Sequence, residues 1–217
     1  MNTIKVILTG ATGMVGEGVL LECLKNEQVS QVLMINRRSS TWKHNKLKEL
    51  IVPDFLKLEN YAEQLKGYDA CFFCAGISSV GMNEADYTRV TYDTTLHVGK
   101  TLLALNPGLV FTYVSGMSTD STEKGRMMWA RVKGKTENDL MKLPFKGEYN
   151  FRPGIMKPFK EQQHVKTLFK VFSFLIPIFF SGSTLTLEQV GRAMIHAVTK
   201  GYDKQVLEVS DIRKLAA

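Results

Sequence analysis

Apolar positions along the chain alternate between two spacings. Short, nearly uninterrupted runs such as Ile4-Lys5-Val6-Ile7-Leu8 give way to stretches where apolar residues return every three to four positions, as at Val15, Val19, Leu20, Leu21 and Leu24. The first spacing predicts strands buried on both faces, and the second predicts helices laid against a sheet. Further strands are predicted over residues 29–36, 47–52, 69–74, 109–114 and 148–151, with strand-like 205–209 near the end. Helices are predicted over about 83–105, closed by Asn106-Pro107-Gly108, over 125–143, and over 187–200 after the capping sequence Ser183-Thr184-Leu185-Thr186. This alternation predicts an α/β fold built on one doubly wound parallel sheet. With 217 residues and no visible linker, the expectation is a single domain over 1–217.

The first strand runs into Thr9-Gly10-Ala11-Thr12-Gly13-Met14-Val15-Gly16. Between a strand and a helix, three glycines at this spacing have separate tasks. Gly10 allows the tight turn, Gly13 lets backbone N–H groups approach a pyrophosphate, and Gly16 lets the helix lie close to the strand. The positive end of the helix then faces the phosphates. The expected fold is therefore the dinucleotide-binding Rossmann type. The second strand ends in Asn36-Arg37-Arg38-Ser39-Ser40, without the acid that would hold a free ribose 2′-hydroxyl. Two guanidinium groups with hydroxyls suit a 2′-phosphate, so NADP(H) is expected over NAD(H).

These motifs, with Phe151-Arg152-Pro153-Gly154-Ile155, resemble the short-chain dehydrogenase/reductase superfamily, in particular its atypical and extended branches of NmrA-like and epimerase-like NAD(P)-binding proteins. The resemblance spans nearly the whole chain. It implies that Gly10, Thr12, Gly13, Met14, Val15 and Gly16 cradle the phosphates, that Asp54 and Phe55 meet the adenine, and that Cys74, Ala75 and Gly76 pass beside the ribose. It also implies that Pro153 and Gly154 border the nicotinamide and that a cap for substrate lies within 155–185. The superfamily's catalytic pair is Tyr-x-x-x-Lys, whose spacing puts both side chains on one helix face. Here the segment reads Trp129-Ala130-Arg131-Val132-Lys133, so the lysine is kept and an indole stands at the tyrosine position. An indole N–H donates but does not titrate in reach of physiological pH, so the usual proton relay is absent. Lys133 retains a role at the nicotinamide ribose hydroxyls. The orienting serine is Ser115 in one register; in the other, Gly116 replaces it and Ser118 lies close by. The family's helix asparagine corresponds to Thr91.

Two functions stay open on this reading. One is a cofactor-dependent sensor or regulator; the other is an NADPH-dependent oxidoreductase or epimerase-like enzyme acting on an apolar carbonyl substrate with another proton donor. Tyr87, Tyr92 and Tyr113 are the candidate donors, and packing roles suit them better.

Composition narrows the field. The formal net charge of +7 is spread over helices and loops rather than gathered into a run with aromatics, which disfavours nucleic acid as a partner. Cys23, Cys71 and Cys74 are too few for a disulfide framework, and the Cys71/Cys74 spacing places the pair on opposite faces of a strand. His44, His97, His164 and His196 have no ligand-spaced neighbours, so no metal is expected. Residues 165–180 are strongly apolar but are broken by Pro177 and are too short to span a membrane. Core packing, an apolar substrate pocket, a subunit contact or, with Lys166 and Lys170, a membrane-surface contact all fit this segment. A strand beginning at once leaves no leader to remove, which predicts the cytoplasm. The oligomeric state stays open.

Overall fold

The computed structural model describes residues 3–163 and 183–217. Strands β1 (Ile4–Thr9), β2 (Val29–Asn36), β3 (Leu47–Ile51), β4 (Ala70–Phe73), β5 (Val110–Val114) and β6 (Gly147–Phe151) build the sheet, and the two-residue β9 (Val206–Leu207) completes it. The order is β3-β2-β1-β4-β5-β6-β9, and every pairing is parallel. This is the doubly wound Rossmann arrangement, with the chain reversing direction across the sheet between β1 and β4.

Alternate residues of each strand feed two cores. Val6, Leu8 and Phe72 face α1 (Met14–Lys25) together with the two last helices, numbered below. Ile7, Cys71, Phe73 and Phe111 face the opposite layer, where a 3-10 helix (Phe55–Leu65), α3 (Thr94–Leu105) and α4 (Met128–Leu140) cover them. Cys71 and Cys74 accordingly pack on opposite sides of the sheet, and burial pushes both thiols well up. Covering both faces explains why the strands read as continuous apolar runs.

Several boundaries differ from the sequence expectation. The predicted helix over 83–105 begins with α2 (Glu84–Thr88), passes through a π-turn (Arg89–Asp93) and continues as α3. The helix expected over 125–143 is shorter at both ends. Its first residues belong to a loop gathered by Asp120, whose carboxylate accepts from Thr122 N, Thr122 Oγ1 and Gly125 N at 3.0, 2.6 and 2.6 Å. The expected cap before residue 187 is present: α5 (Leu187–Thr199) opens with a reciprocal capping box between Thr186 and Gln189. The strand-like segment 205–209 holds only two paired residues. Glu208 and Asp211 then form a second capping box that starts α6 (Val209–Ala216), an element the apolar pattern did not single out. A small parallel pair, β7 (Ile155–Lys157) with β8 (Thr184–Thr186), was likewise unforeseen. The apolar segment 165–180, and with it most of the expected cap, lies outside the described residues. Among those described, no helix is long and apolar enough to cross a membrane.

Candidate functional site: a dinucleotide cleft and the lysine end of α4

Strand β1 delivers the chain into a turn that only glycine can make. Gly10 has φ +76°, and a Cβ there would lie 2.6 Å from the backbone of Cys74 and Ala75 at the end of β4. Its carbonyl accepts from Gly13 N at 2.9 Å, closing the turn. A Cβ on Gly16 would lie 2.2 Å from Gly10 O, so the first turn of α1 sits directly on the glycine loop. Thr9 Oγ1 accepts from Ala75 N at 3.2 Å and ties the β1 and β4 ends together. Loop, helix start and strand end thus form a cradle that a side chain would fill, which suits a pyrophosphate.

A cleft of about 430 Å³ opens beside this turn. It is lined by Gly10, Thr12 and Gly13, by Asn36 and Arg37 at the end of β2, by Asp54 and Phe55 after β3, and by Cys74, Ala75 and Gly76 after β4. Four loops far apart in sequence therefore meet in one cleft. Arg38 follows Arg37 in the exposed loop and does not line the cleft. Met14, Val15 and Gly16 stand behind the turn: the Met14 carbonyl accepts from Gln162 Nε2 at 2.7 Å, and Val15 packs on the core.

Three features of the cleft were not legible in the sequence. First, Glu49 on β3 reaches the β2 loop and accepts from Asn36 Nδ2, Ser39 Oγ and Ser40 N at 2.8, 3.2 and 2.9 Å. An acid does lie near the ribose selector, but its oxygens are occupied in shaping the loop that carries Arg37. Second, Glu17 in the first turn of α1 is fully buried, and its carboxylate accepts from Trp42 Nε1 and Gln163 N at 3.2 and 2.8 Å. This carboxylate joins the helix to the loop after the arginines and to the segment leading out of β7. Third, Arg89, Val90 and Thr94 line the cleft from the π-turn side.

The second centre lies at β5, β6 and α4. Lys133 is one turn along α4 from Trp129, and its ammonium donates to the Ser115 carbonyl. Burial pulls Lys133 down to about 8, against the opposing charge of Glu137 one turn further on. Glu137 is fully buried and forms a two-point pair with Arg152 through Nε and Nη2. Arg152 also reaches Glu208 and Ser121, the first at 3.2 Å and the second at 2.5 Å. This network welds α4 to the Arg-Pro-Gly segment. Ser115 is buried and its hydroxyl donates to Phe151 O at 3.1 Å, while Ser118 is exposed with φ +69°. Pro153 O accepts from Met117 N at 3.1 Å, and a Cβ on Gly154 would lie 2.4 Å from Ser183 O, so this pair fastens the β5 loop and β8. Ser115, Lys133, Pro153 and Gly154 come together here and do not line the cleft. Gly134 permits the arrangement, because a Cβ there would lie 1.8 Å from Asp120 O.

Two of the three tyrosines are buried and the third is hydrogen-bonded to a carboxylate. Tyr113 is buried in the second core and burial pushes its phenol well up; Tyr87 is also buried; Tyr92 donates to Asp139 Oδ2 at 2.7 Å. Thr91 is buried within the π-turn and does not line the cleft. No cluster of metal-ligating side chains occurs among the described residues.

An all-parallel seven-stranded sheet with a glycine cradle on its first strand defines an NAD(P)-binding Rossmann protein. Residues 6–121, more than half of the chain, match the NAD dependent epimerase/dehydratase family model, and the chain belongs to that family. It is 28% identical over 202 residues to rat Protein HTATIP2, a match covering 90% of this chain and 81% of that protein. It is 23% identical over 200 residues to "Protein FMP52, mitochondrial" of Debaryomyces hansenii, covering 89% and 87%. Its fold matches the ADP-L-glycero-D-manno-heptose-6-epimerase of Helicobacter pylori with a TM-score of 0.70 at 14% identity, covering 91% of this chain and 73% of that one.

Proposed function

We propose that the protein binds NADP(H) in the cleft and acts as a cofactor-dependent sensor or regulator, its proton relay having been lost. The observation that carries this reading is the pairing on α4: a lysine one turn beyond an indole, with the phenols of Tyr87 and Tyr113 buried and that of Tyr92 bonded to Asp139. Bound NADP(H) would supply a hydride. The chain's own contribution is binding: the glycine cradle and α1 N-terminus for the pyrophosphate, Arg37 at the end of β2 for the 2′-phosphate, and Asp54 and Phe55 for the adenosine. Lys133, once turned from the Ser115 carbonyl, donates to the nicotinamide ribose hydroxyls, with Pro153 and Gly154 forming the adjoining wall. Glu49 supports the NADP(H) preference, since its hydrogen bonds to Asn36, Ser39 and Ser40 hold it away from a competing hold on a 2′-hydroxyl.

Calorimetric titration with NADPH and NADH tests the binding reading. Micromolar NADPH affinity with much weaker NADH affinity is expected, and binding of neither refutes it. Trp129→Tyr tests the lost relay: carbonyl reduction should appear or rise when a phenol is set one turn before Lys133. No gain in a variant that still binds NADPH counts against this account. It would favour the second reading, an oxidoreductase acting on an apolar carbonyl substrate through another donor. The whole chain as one domain, located in the cytoplasm, completes the proposal. Limited proteolysis checks the first part and cell fractionation the second, where a mitochondrial result, the compartment named for the fungal relative, would replace the cytoplasm.

A further inference from the structure

The cleft carries a second arginine that no motif pointed to. Arg89 opens the π-turn between α2 and α3 and lines the same cavity as Arg37. The turn is defined by Thr94, whose N–H donates to the carbonyl of Arg89 five residues back and whose Oγ1 donates to that carbonyl at 3.1 Å. Such a single widened turn changes the phase of a helix and places residues on a face that a regular helix would not give them; it recurs at functional sites. Here it brings Arg89, Val90 and Thr94 onto the wall of the cleft together.

Charge sharpens the point. Arg37 and Arg89 are both exposed, and among the described residues neither has a carboxylate partner. The one acid on the cleft wall is Asp54, and it caps the 3-10 helix by accepting from Leu56 N at 3.0 Å. Two uncompensated guanidinium groups lining one cavity of this size form a site for a dianion. Besides the glycine loop and the π-turn, the lining residues belong to the ends of β2, β3 and β4, while Ser115 and Lys133 are absent, so the anion belongs to the adenosine end rather than the nicotinamide end. We infer that Arg89 is a specificity-determining residue which, with Arg37, holds the adenosine 2′-phosphate from an element other than the β2 loop. The inference rests on the proposed NADP(H) binding and assigns that site a second cation from a different element.

The test is calorimetric titration of the wild type, Arg37→Ala, Arg89→Ala and Arg89→Lys with NADPH, NADH and 2′,5′-ADP. Removing one charge-assisted contact should weaken NADPH and 2′,5′-ADP about tenfold or more, and leave NADH unchanged. Arg89→Lys should recover part of the loss. The dependence of NADPH affinity on salt should also flatten in Arg89→Ala. Equal weakening of NADPH and NADH would overturn the inference, because Arg89 would then serve the adenine or pyrophosphate. So would an Arg89→Ala variant with wild-type NADPH affinity while Arg37→Ala is impaired, a result that leaves the NADP(H) reading standing. If the wild type binds neither dinucleotide, that reading fails first and takes the inference with it. Circular dichroism and thermal unfolding of each variant exclude a folding defect, which the exposure of Arg89 argues against.

Discussion

Glu148 on β6 offers the sharpest test of the physical reasoning. Its side chain is buried, and burial, reinforced by the charge of Glu137, pushes its carboxyl up to about 9 from an ordinary 4.5. Asn150 Nδ2 donates to Glu148 Oε2 at 3.1 Å, whereas Glu148 Oε1, Asn150 Oδ1 and the Tyr113 hydroxyl have no partner among the described residues. A proton on the carboxyl removes a buried charge and turns one of its oxygens into a donor. At pH 7 the folded protein therefore holds a proton that the unfolded chain, titrating near 4.5, has released. Folding binds the extra proton, so this group makes stability fall as pH rises from about 4.5 to about 9. At about 1.4 kcal/mol per pH unit, the cost at pH 7 is about 3 kcal/mol. Glu148→Gln keeps the shape and the acceptor and has no proton to take up. In urea unfolding at pH 5, 6, 7 and 8, the variant should gain on the wild type by about 1 kcal/mol or more per pH unit. Taking the difference between the two proteins cancels the titrations that do not couple to Glu148, that of Lys133 included. A stability difference that stays flat from pH 5 to 8 would refute the argument, for the carboxyl would then be ionised in the fold.

Two further predictions follow from the lysine end of α4. Because Lys133 titrates near 8, its ammonium is lost as pH rises through that value; NADPH affinity should decline between pH 7 and 9 in the wild type, and this decline should vanish in Lys133→Met when measured by titration calorimetry. Arg152→Ala leaves Glu137 fully buried without its partner; a loss of about 3 kcal/mol or more is expected in chemical denaturation, and Arg152→Ala with Glu137→Gln should recover much of it.

The sequence by itself determined the sheet, because strands covered on both faces must be apolar throughout and helices packed on them must show a three-to-four spacing. Gly10 and Gly16 were legible for a related reason: the chain cannot turn back on β4 or seat α1 on the loop with any larger residue there. Arg37 was legible from its place at the end of the second strand, whereas Asp54, Phe55 and Ala75 came from the resemblance to a family; the fold brings all four into one cleft. Other features needed the folded chain. Whether Arg38 enters the cleft, whether Glu49 opposes or supports the β2 loop, and which tyrosines are spoken for are decided by contacts between distant segments. The π-turn is the clearest case. Its residues read as ordinary helix, since one extra residue in a turn leaves the apolar spacing on either side intact, yet it turns Arg89 onto the cleft. The short α6 was hidden for a similar reason: its start depends on Glu208 and Asp211 capping each other, and on a buried face completed by α5. Local periodicity records which face is buried; only the tertiary structure decides what that face and the polar groups beside it meet.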